Sequence, residues 1–578
     1  MRFSHVCHWI LCASLGVGWL AATLLEAQPA DLILRNGKIL TMESSAPEAQ
    51  ALAARDGKIL ALGTNQDIQQ YAGPATKVID LRGRLAVPGL IEGHGHFMSL
   101  GASKMELNLR DAKSWDDIVA MVAAAAREAK PGEWILGQGF HQAKWDRTPV
   151  PNVQGFPVHA ALSQVSPRNP VLLSHASGHA VFVNAEALRL AGVDRNTPDP
   201  PGGAILKDAQ GNPTGLLNEE AQNLAEHALA SYRAHMSPEE REALARKQAE
   251  LAIRECLSKG ITTFEDAGSP MSTIDLFQRL AREDRLGLRM WAMLRQPNAD
   301  LEPNLKRYRI IDAGNQHLTV RAIKRQIDGA LGSRGAWLLE PYSDLPPGAP
   351  NNRGLNTESL DDIRKTAVMA IQNGFQLCTH AIGDRANREM LNLYESVFRE
   401  FPYHHGKDLR WRIEHAQHLN RADIPRFAEL GVIASMQAIH CTSDAPFVIT
   451  RLGRERAEEG AYVWQKLMKS GAVVTNGTDV PVEDVDPIAS FYAAVSRKLK
   501  DGSVFFPDQR MSRMEALKSY TWNNAYAAFD ENVKGSLKAG KLADVTVLSN
   551  DITTIPEDQI PSAKVDYTIV GGKVLYSR

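Results

Sequence analysis

The chain is short of the features that mark a nucleic-acid binder, a disulfide scaffold or a protein of many membrane spans. Its 65 basic residues are offset by 67 acidic ones in 578, a formal net charge of −2. That leaves no basic field for nucleic acid or an anionic membrane. Cysteine is scarce, with five in all. Cys7 and Cys12 fall near the N-terminus, and Cys256, Cys378 and Cys441 form an odd, widely spaced set. They read as small buried hydrophobes rather than a disulfide framework. There is no internal repeat, no low-complexity tract and, past the first residues, no apolar run long enough to span a bilayer. What remains is ordinary globular composition, 44% hydrophobic and 23% charged. At this length more than one structural unit is expected.

Residues 1–27 read as a targeting signal. Arg2 opens a weakly basic end, an apolar run follows from Trp9 to Leu25, and Leu25-Glu26-Ala27 resembles a small-residue cleavage site. A helix belonging to the fold and an uncleaved anchor are the alternatives. The expected location is outside the cytoplasm, periplasmic or secreted.

From Asp31 to Val87 short apolar runs alternate with tight turns. Asn36-Gly37 between two such runs is a strong hairpin signal, and Asp56-Gly57 repeats the theme. Ala543–Leu548 and Tyr567–Leu575 echo it at the far end, which suggests one small β domain built from both termini. The middle alternates strand-like runs with helix-like segments, the pattern of βαβ units around a parallel sheet. Ser237-Pro238-Glu239-Glu240 is a capping box, and Asn373-Gly374 closes the helix that begins near Ser359. Eight strand candidates appear: Leu85–His96, Ile261–Ala267, Leu288–Leu294, Thr319–Asp328, Phe375–His380, Arg410–His415, Val432–Gln437 and Ala472–Asp479. Eight is the number that closes a (β/α)₈ TIM barrel, an α/β fold. The long gap from Phe97 to Gly260 reads as an inserted subdomain hanging over one mouth.

The first of these runs ends Gly93-His94-Gly95-His96. Residues i and i+2 of a strand share a face, so both imidazoles can reach one metal. Gly93 and Gly95 are expected to leave room for an ion and substrate. Alone, His-x-His is weak. Yet His380, His415 and Asp479 also stand at strand ends, and Lys324 sits inside the apolar run Val320–Ile327. Ligands from several strands converge at the C-terminal mouth of a barrel.

Together with Asp328-Gly329-Ala330-Leu331-Gly332-Ser333, Arg412-Ile413-Glu414-His415-Ala416-Gln417 and Gly535–Asp544, these motifs give the chain a resemblance to the amidohydrolase superfamily, in its YtcJ-like subgroup. The resemblance implies a metal-dependent hydrolase with a β-sandwich from residues 28–87 and 531–578, a barrel over 88–530 and an insertion at about 100–250. It implies that His94, His96 and Asp479 hold one divalent metal, that His380 and His415 hold a second, and that Lys324 bridges them as a carbamate. An ammonium offers no lone pair, and a buried lysine has the lowered pKa that carbamylation needs. With Lys324 unmodified, one metal would remain. Zinc suits such ligands, with one or two ions per chain; manganese, iron and cobalt stay open. Asp479 would take a proton from water and return it to the departing nitrogen.

Substrate-binding candidates are His179, in a segment resembling one that reaches over the active site, Arg334 for a carboxylate, and Gln437, with His440 nearby. Each has a bland alternative: a histidine satisfied within the insertion, a surface salt bridge, a pocket wall. The stretch Gly139–Trp145 departs from the family pattern. The expected activity is cleavage of a non-peptide C–N bond, with ester or lactone hydrolysis and a non-catalytic exported binding protein as alternatives. The partner expected is a small-molecule substrate. Nucleic acid has no support, membrane contact is confined to an uncleaved leader, and a homodimer stays open.

Overall fold

The computed structural model describes residues 29–578 apart from 143–144, 176–179, 202, 346–350 and 405. The leader and His179 therefore lie outside the described residues. Eight parallel strands form the central sheet, and every apolar run singled out in the sequence supplies one. They are β1 (Leu90–Gly95), β2 (Ile261–Ser269), β3 (Arg289–Leu294), β4 (Leu318–Gln326), β5 (Gln376–Ala381), β6 (Arg412–His415), β7 (Ile433–Met436) and β8 (Val474–Asn476), paired in that order. Helices such as Met271–Arg282, Leu360–Gln372 and Asp384–Glu400 run between them. The strands are buried on both faces, as a helix-wrapped parallel sheet requires. The result is a TIM barrel.

The barrel is closed by side chains and single backbone bonds rather than a β1–β8 ladder. Asp479 N donates to His94 O at 2.7 Å and His96 N to Val480 O at 2.8 Å. Asn524 bridges the seam, its amide donating to Ile91 O at 2.7 Å and Asn476 O at 2.9 Å. A Cβ on Gly93 would lie 2.5 Å from Asn476 O, and one on Gly95 would lie 2.7 Å from the Phe264 ring. Both glycines thus serve closure and packing of the barrel. They do not make room for an ion, as their place beside His94 suggested.

The run Leu85–His96, expected as one strand, is two. Leu85–Pro88 pairs antiparallel with Val545–Leu548, and the chain changes sheet at Gly89, where a Cβ would meet Thr262 Oγ1 at 2.1 Å. The Asn36-Gly37 hairpin is also absent. Leu32–Arg35 pairs with Ala51–Arg55 and Lys77–Asp80, whereas Lys38–Leu40 pairs with Leu85–Pro88 and Glu48–Ala49. Asn36 does adopt a positive φ of 58°, but the turn is a corner between two sheets. The Asp56-Gly57 turn is a hairpin, with φ of 51° and 76° and Arg55 opposite Lys58.

Those two terminal sheets, of four and six strands, share a core of residues such as Leu34, Ile39, Leu52, Val547 and Ile569. They are pinned to the barrel floor by Arg289 of β3, whose Nε and Nη2 donate to Asp544 at 2.7 and 2.9 Å. The residues between β1 and β2 carry a six-stranded sheet with its own core around Trp115, Phe140 and Phe182. Cys256, Cys378 and Cys441 are buried and unpaired.

Candidate metal centre

Polar side chains inside the barrel build the site from below. Arg412 on β6 is fully buried and touches β1, β2 and β7. It contacts Glu265, donates to Gly93 O at 2.7 Å and Ser435 Oγ at 2.8 Å, and places Nε 2.7 Å from Glu414 Oε1. Glu414, two residues on, shares its face. The other Glu414 oxygen meets His94 Nδ1. Burial pushes the Glu414 carboxyl up, but Arg412 and His94 outweigh it and hold it well below the usual range. A carboxylate on Nδ1 sets the tautomer that leaves Nε2 free to bind.

His415, at the end of β6, is fixed in the same way by an amide, its Nδ1 lying 2.7 Å from Gln437 Oε1. Gln437 is buried and its Nε2 donates to Ser435 O at 3.1 Å. It orients His415 and is not among the residues lining the cavity, where it was expected. His415 and Asp479 both take left-handed backbone, with φ of 75° and 57°. Strain of this kind at the ends of β6 and β8 persists where the surroundings over-determine it, commonly at functional sites.

The expected ligands come together at one mouth. The His94 and His415 ring centroids lie 4.7 Å apart, those of His380 and His415 4.4 Å. Asp479 Oδ1 is 3.2 Å from His96 Nε2 and 3.6 Å from His94 Nε2. The tightest set is His94, His415 and Asp479, whose ligand atoms all lie within 4.8 Å of one another. Lys324, His96, His380, His415 and Asp479 line one cavity of about 400 Å³. Burial lowers His94 to about 4 and His380 to about 3, and lowers His415 well below its ordinary value. All three are therefore neutral at pH 7, the form that ligates. Burial also lowers Lys324, against the opposing pull of Glu414 and Asp479.

His94 Nε2 and His380 Nε2 are buried with no hydrogen-bond partner among the described residues. Buried ring nitrogens left without a partner are costly unless something binds their lone pairs. Two unpartnered imidazole nitrogens beside a carboxylate fit a divalent cation.

Arg334, expected to bind a carboxylate, has one already: its guanidinium contacts Asp344 at 2.8 and 3.3 Å, and Asp344 is shared with Arg451. The surface ion pair is its role here. His175, beside the segment of His179, has Nε2 3.0 Å from Gln142 Oε1. Glu414 and Arg412 stand in a motif of the sequence that did not by itself mark them as parts of the site. Their signal was charge at alternate positions of an otherwise apolar strand. Arg295 and Gln417 also line the cavity; Gln417 closes the β6 motif quoted above, whereas Arg295 stands at a strand end that carries no motif.

The sequence pattern described as the Amidohydrolase family matches residues 77–576. Protein LONG AFTER FAR-RED 3 of Arabidopsis thaliana is 36% identical over 559 residues, covering 95% of this chain and 92% of that protein. An N-substituted formamide deformylase of Arthrobacter pascens is 26% identical over 558 residues, covering 95% and 99%. A crystal structure of an uncharacterized metal-dependent hydrolase from Pyrococcus furiosus superposes with a TM-score of 0.71 at 26% identity, covering 90% of this chain and all of that one. Fold, site and sequence agree: the chain belongs to the amidohydrolase family and is a metal-dependent hydrolase.

Proposed function

We propose that the protein hydrolyses a non-peptide carbon–nitrogen bond in a small amide, cyclic amide, imide or formamide. The observation that carries this is Asp479, a carboxylate lining the cavity and 3.2 Å from His96 Nε2. Amide hydrolysis needs a group that moves a proton twice, because nitrogen departs only as the amine. Asp479 would take the proton from the attacking water and deliver it to that nitrogen. The name of the Arthrobacter pascens relative, a formamide deformylase, supports the same bond class.

His94, His96 and Asp479 would hold one cation, proposed to be zinc, and His380 and His415 a second. A bound divalent cation lowers the pKa of water and polarises a carbonyl. Lys324 would supply anionic oxygen to the cations as the carbamate formed when its neutral amine, favoured by burial, adds CO₂ and releases a proton. His94 and His415 are held in register by Glu414 and Gln437, so neither ring reorganises during turnover.

The test is metal analysis of the purified protein, with amides, formamides and lactones assayed on the same sample. Bound cation with amide or formamide turnover supports the reading. Turnover of lactones alone overturns it.

A further inference from the structure

A second cavity, of about 730 Å³, lies against the first, and Arg295, Lys324 and Gln326 line both. Arg295 follows β3 directly, and its side chain lies beside that of Lys324. A Cβ on Gly268 would sit 3.2 Å from Arg295 Cβ and Cδ and 3.2 Å from Lys324 Cγ. The guanidinium is aimed by a neutral group. Gln326 Nε2 donates to Asp328 O at 3.1 Å, which turns Oε1 towards Arg295 Nη2, at 2.8 Å. Arg295 has no carboxylate within 4.0 Å among the described residues.

The acids of the second cavity are already engaged. Glu358 accepts from Gln326 N at 3.1 Å and pairs with Arg325 at 3.3 Å, while Asp362 pairs with Lys365 at 3.2 Å. In the first cavity the acids beside the ligand set are Asp444 and Glu483. They follow β7 and β8, across the ring from β3. Asp444 accepts from Tyr462 Oη at 2.6 Å and is raised by burial, so Glu483 supplies the anion on that side of the rim and Arg295 the cation on the other. A substrate lying over the ligand set is repelled at one end and attracted at the other if it carries an anion.

We propose that Arg295 is the specificity residue for a carboxylate on the substrate, so that the amides or formamides cleaved are those of carboxylic acids such as N-acyl or N-formyl amino acids. The planar fork of arginine suits a carboxylate bidentately, and Gln326 holds it ready. This rests on the carbon–nitrogen reading above for the bond cleaved, but not for the anion bound.

The test compares N-formylglycine with N-formylglycinamide on the metal-loaded enzyme, and titrates unreactive succinate by calorimetry. The native enzyme should prefer N-formylglycine at least tenfold in kcat/KM. R295Q should lose at least tenfold on N-formylglycine, mainly through KM, and less than threefold on the amide. R295K, which keeps the charge without the fork, should recover part of the loss. Succinate should bind R295Q at least tenfold more weakly. Equal loss on both formamides, or unchanged succinate binding, overturns the assignment. If neither formamide turns over while succinate binding still depends on Arg295, the anion site stands and the bond cleaved is decided by the panel of amides, formamides and lactones above.

Discussion

His94 and Glu414, 320 residues apart in sequence, meet as imidazole nitrogen and carboxylate in the dry interior of the barrel. Glu414 is in turn held by Arg412 at 2.7 Å, so the orientation of the His94 ring depends on a cation that does not itself contact it. E414Q should keep the fold, because the amide still fills the space. Its metal affinity should fall by about 10- to 100-fold, the usual effect of removing the partner of a ligating histidine. Metal content after dialysis against a buffered chelator measures it, with circular dichroism to check folding. Retention equal to the native protein would show that Glu414 does not tune His94.

Replacing Asp479 by asparagine keeps an oxygen that can ligate and removes the carboxylate that takes the proton. The variant should keep most of its metal while turnover falls by about 10²–10⁴-fold, the usual contribution of a positioned acid or base. Unchanged activity would remove Asp479 from its role.

K324A addresses the number of cations. It should bind at least one fewer per chain than the native protein, since histidines alone would then hold the second site. Chelation of the native enzyme should abolish activity, with added zinc restoring it. Native-like stoichiometry in K324A would rule out a bridging carbamate.

The Arg289–Asp544 pair gives a pH prediction away from the site. Burial pushes the Asp544 carboxyl up, but Arg289 outweighs it and leaves it below its ordinary value of 3.8. A carboxyl whose folded pKa is depressed contributes stability that is full above the unfolded value and lost as pH falls through the folded one. Stability should therefore decline below about pH 4, the unfolded aspartate range. D544N should lack this part of the decline. At pH 7 it should be less stable by about 3–5 kcal/mol, because Arg289 is left buried and unpaired. Denaturant titrations at several pH values check both parts.

Much of this was legible in the sequence. The eight strands declared themselves because a parallel sheet buried on both faces must be written as continuous apolar runs. Helix starts such as Ser237–Glu240 were legible because a cap is local chemistry, and both halves of that capping box are present. His94, His96, His380, His415 and Asp479 were visible because polar residues at the ends of such runs have few uses other than a site. Lys324 was visible because lysine is rarely buried.

The failures have a common form. Asn36-Gly37 encodes a turn, and a turn was made, but which sheet each flank joins depends on strands hundreds of residues away. Gly93 encodes a missing Cβ, and only the approach of Asn476 and Asn524 shows what fills the space. Arg334 and Arg295 are alike as sequence. One meets Asp344 and the other, among the described residues, meets the amide of Gln326 and no carboxylate, a difference created by where two loops come to rest.

The sequence by itself determined the barrel and the residues able to ligate, because periodicity, burial and capping act over a few residues and leave local traces. Only the tertiary structure decided which groups orient the candidate ligands, whether Arg295 or Arg334 meets a carboxylate among the described residues, and what closes the seam. Those depend on distances between segments far apart in the chain, and such distances leave no mark on the residues near either one.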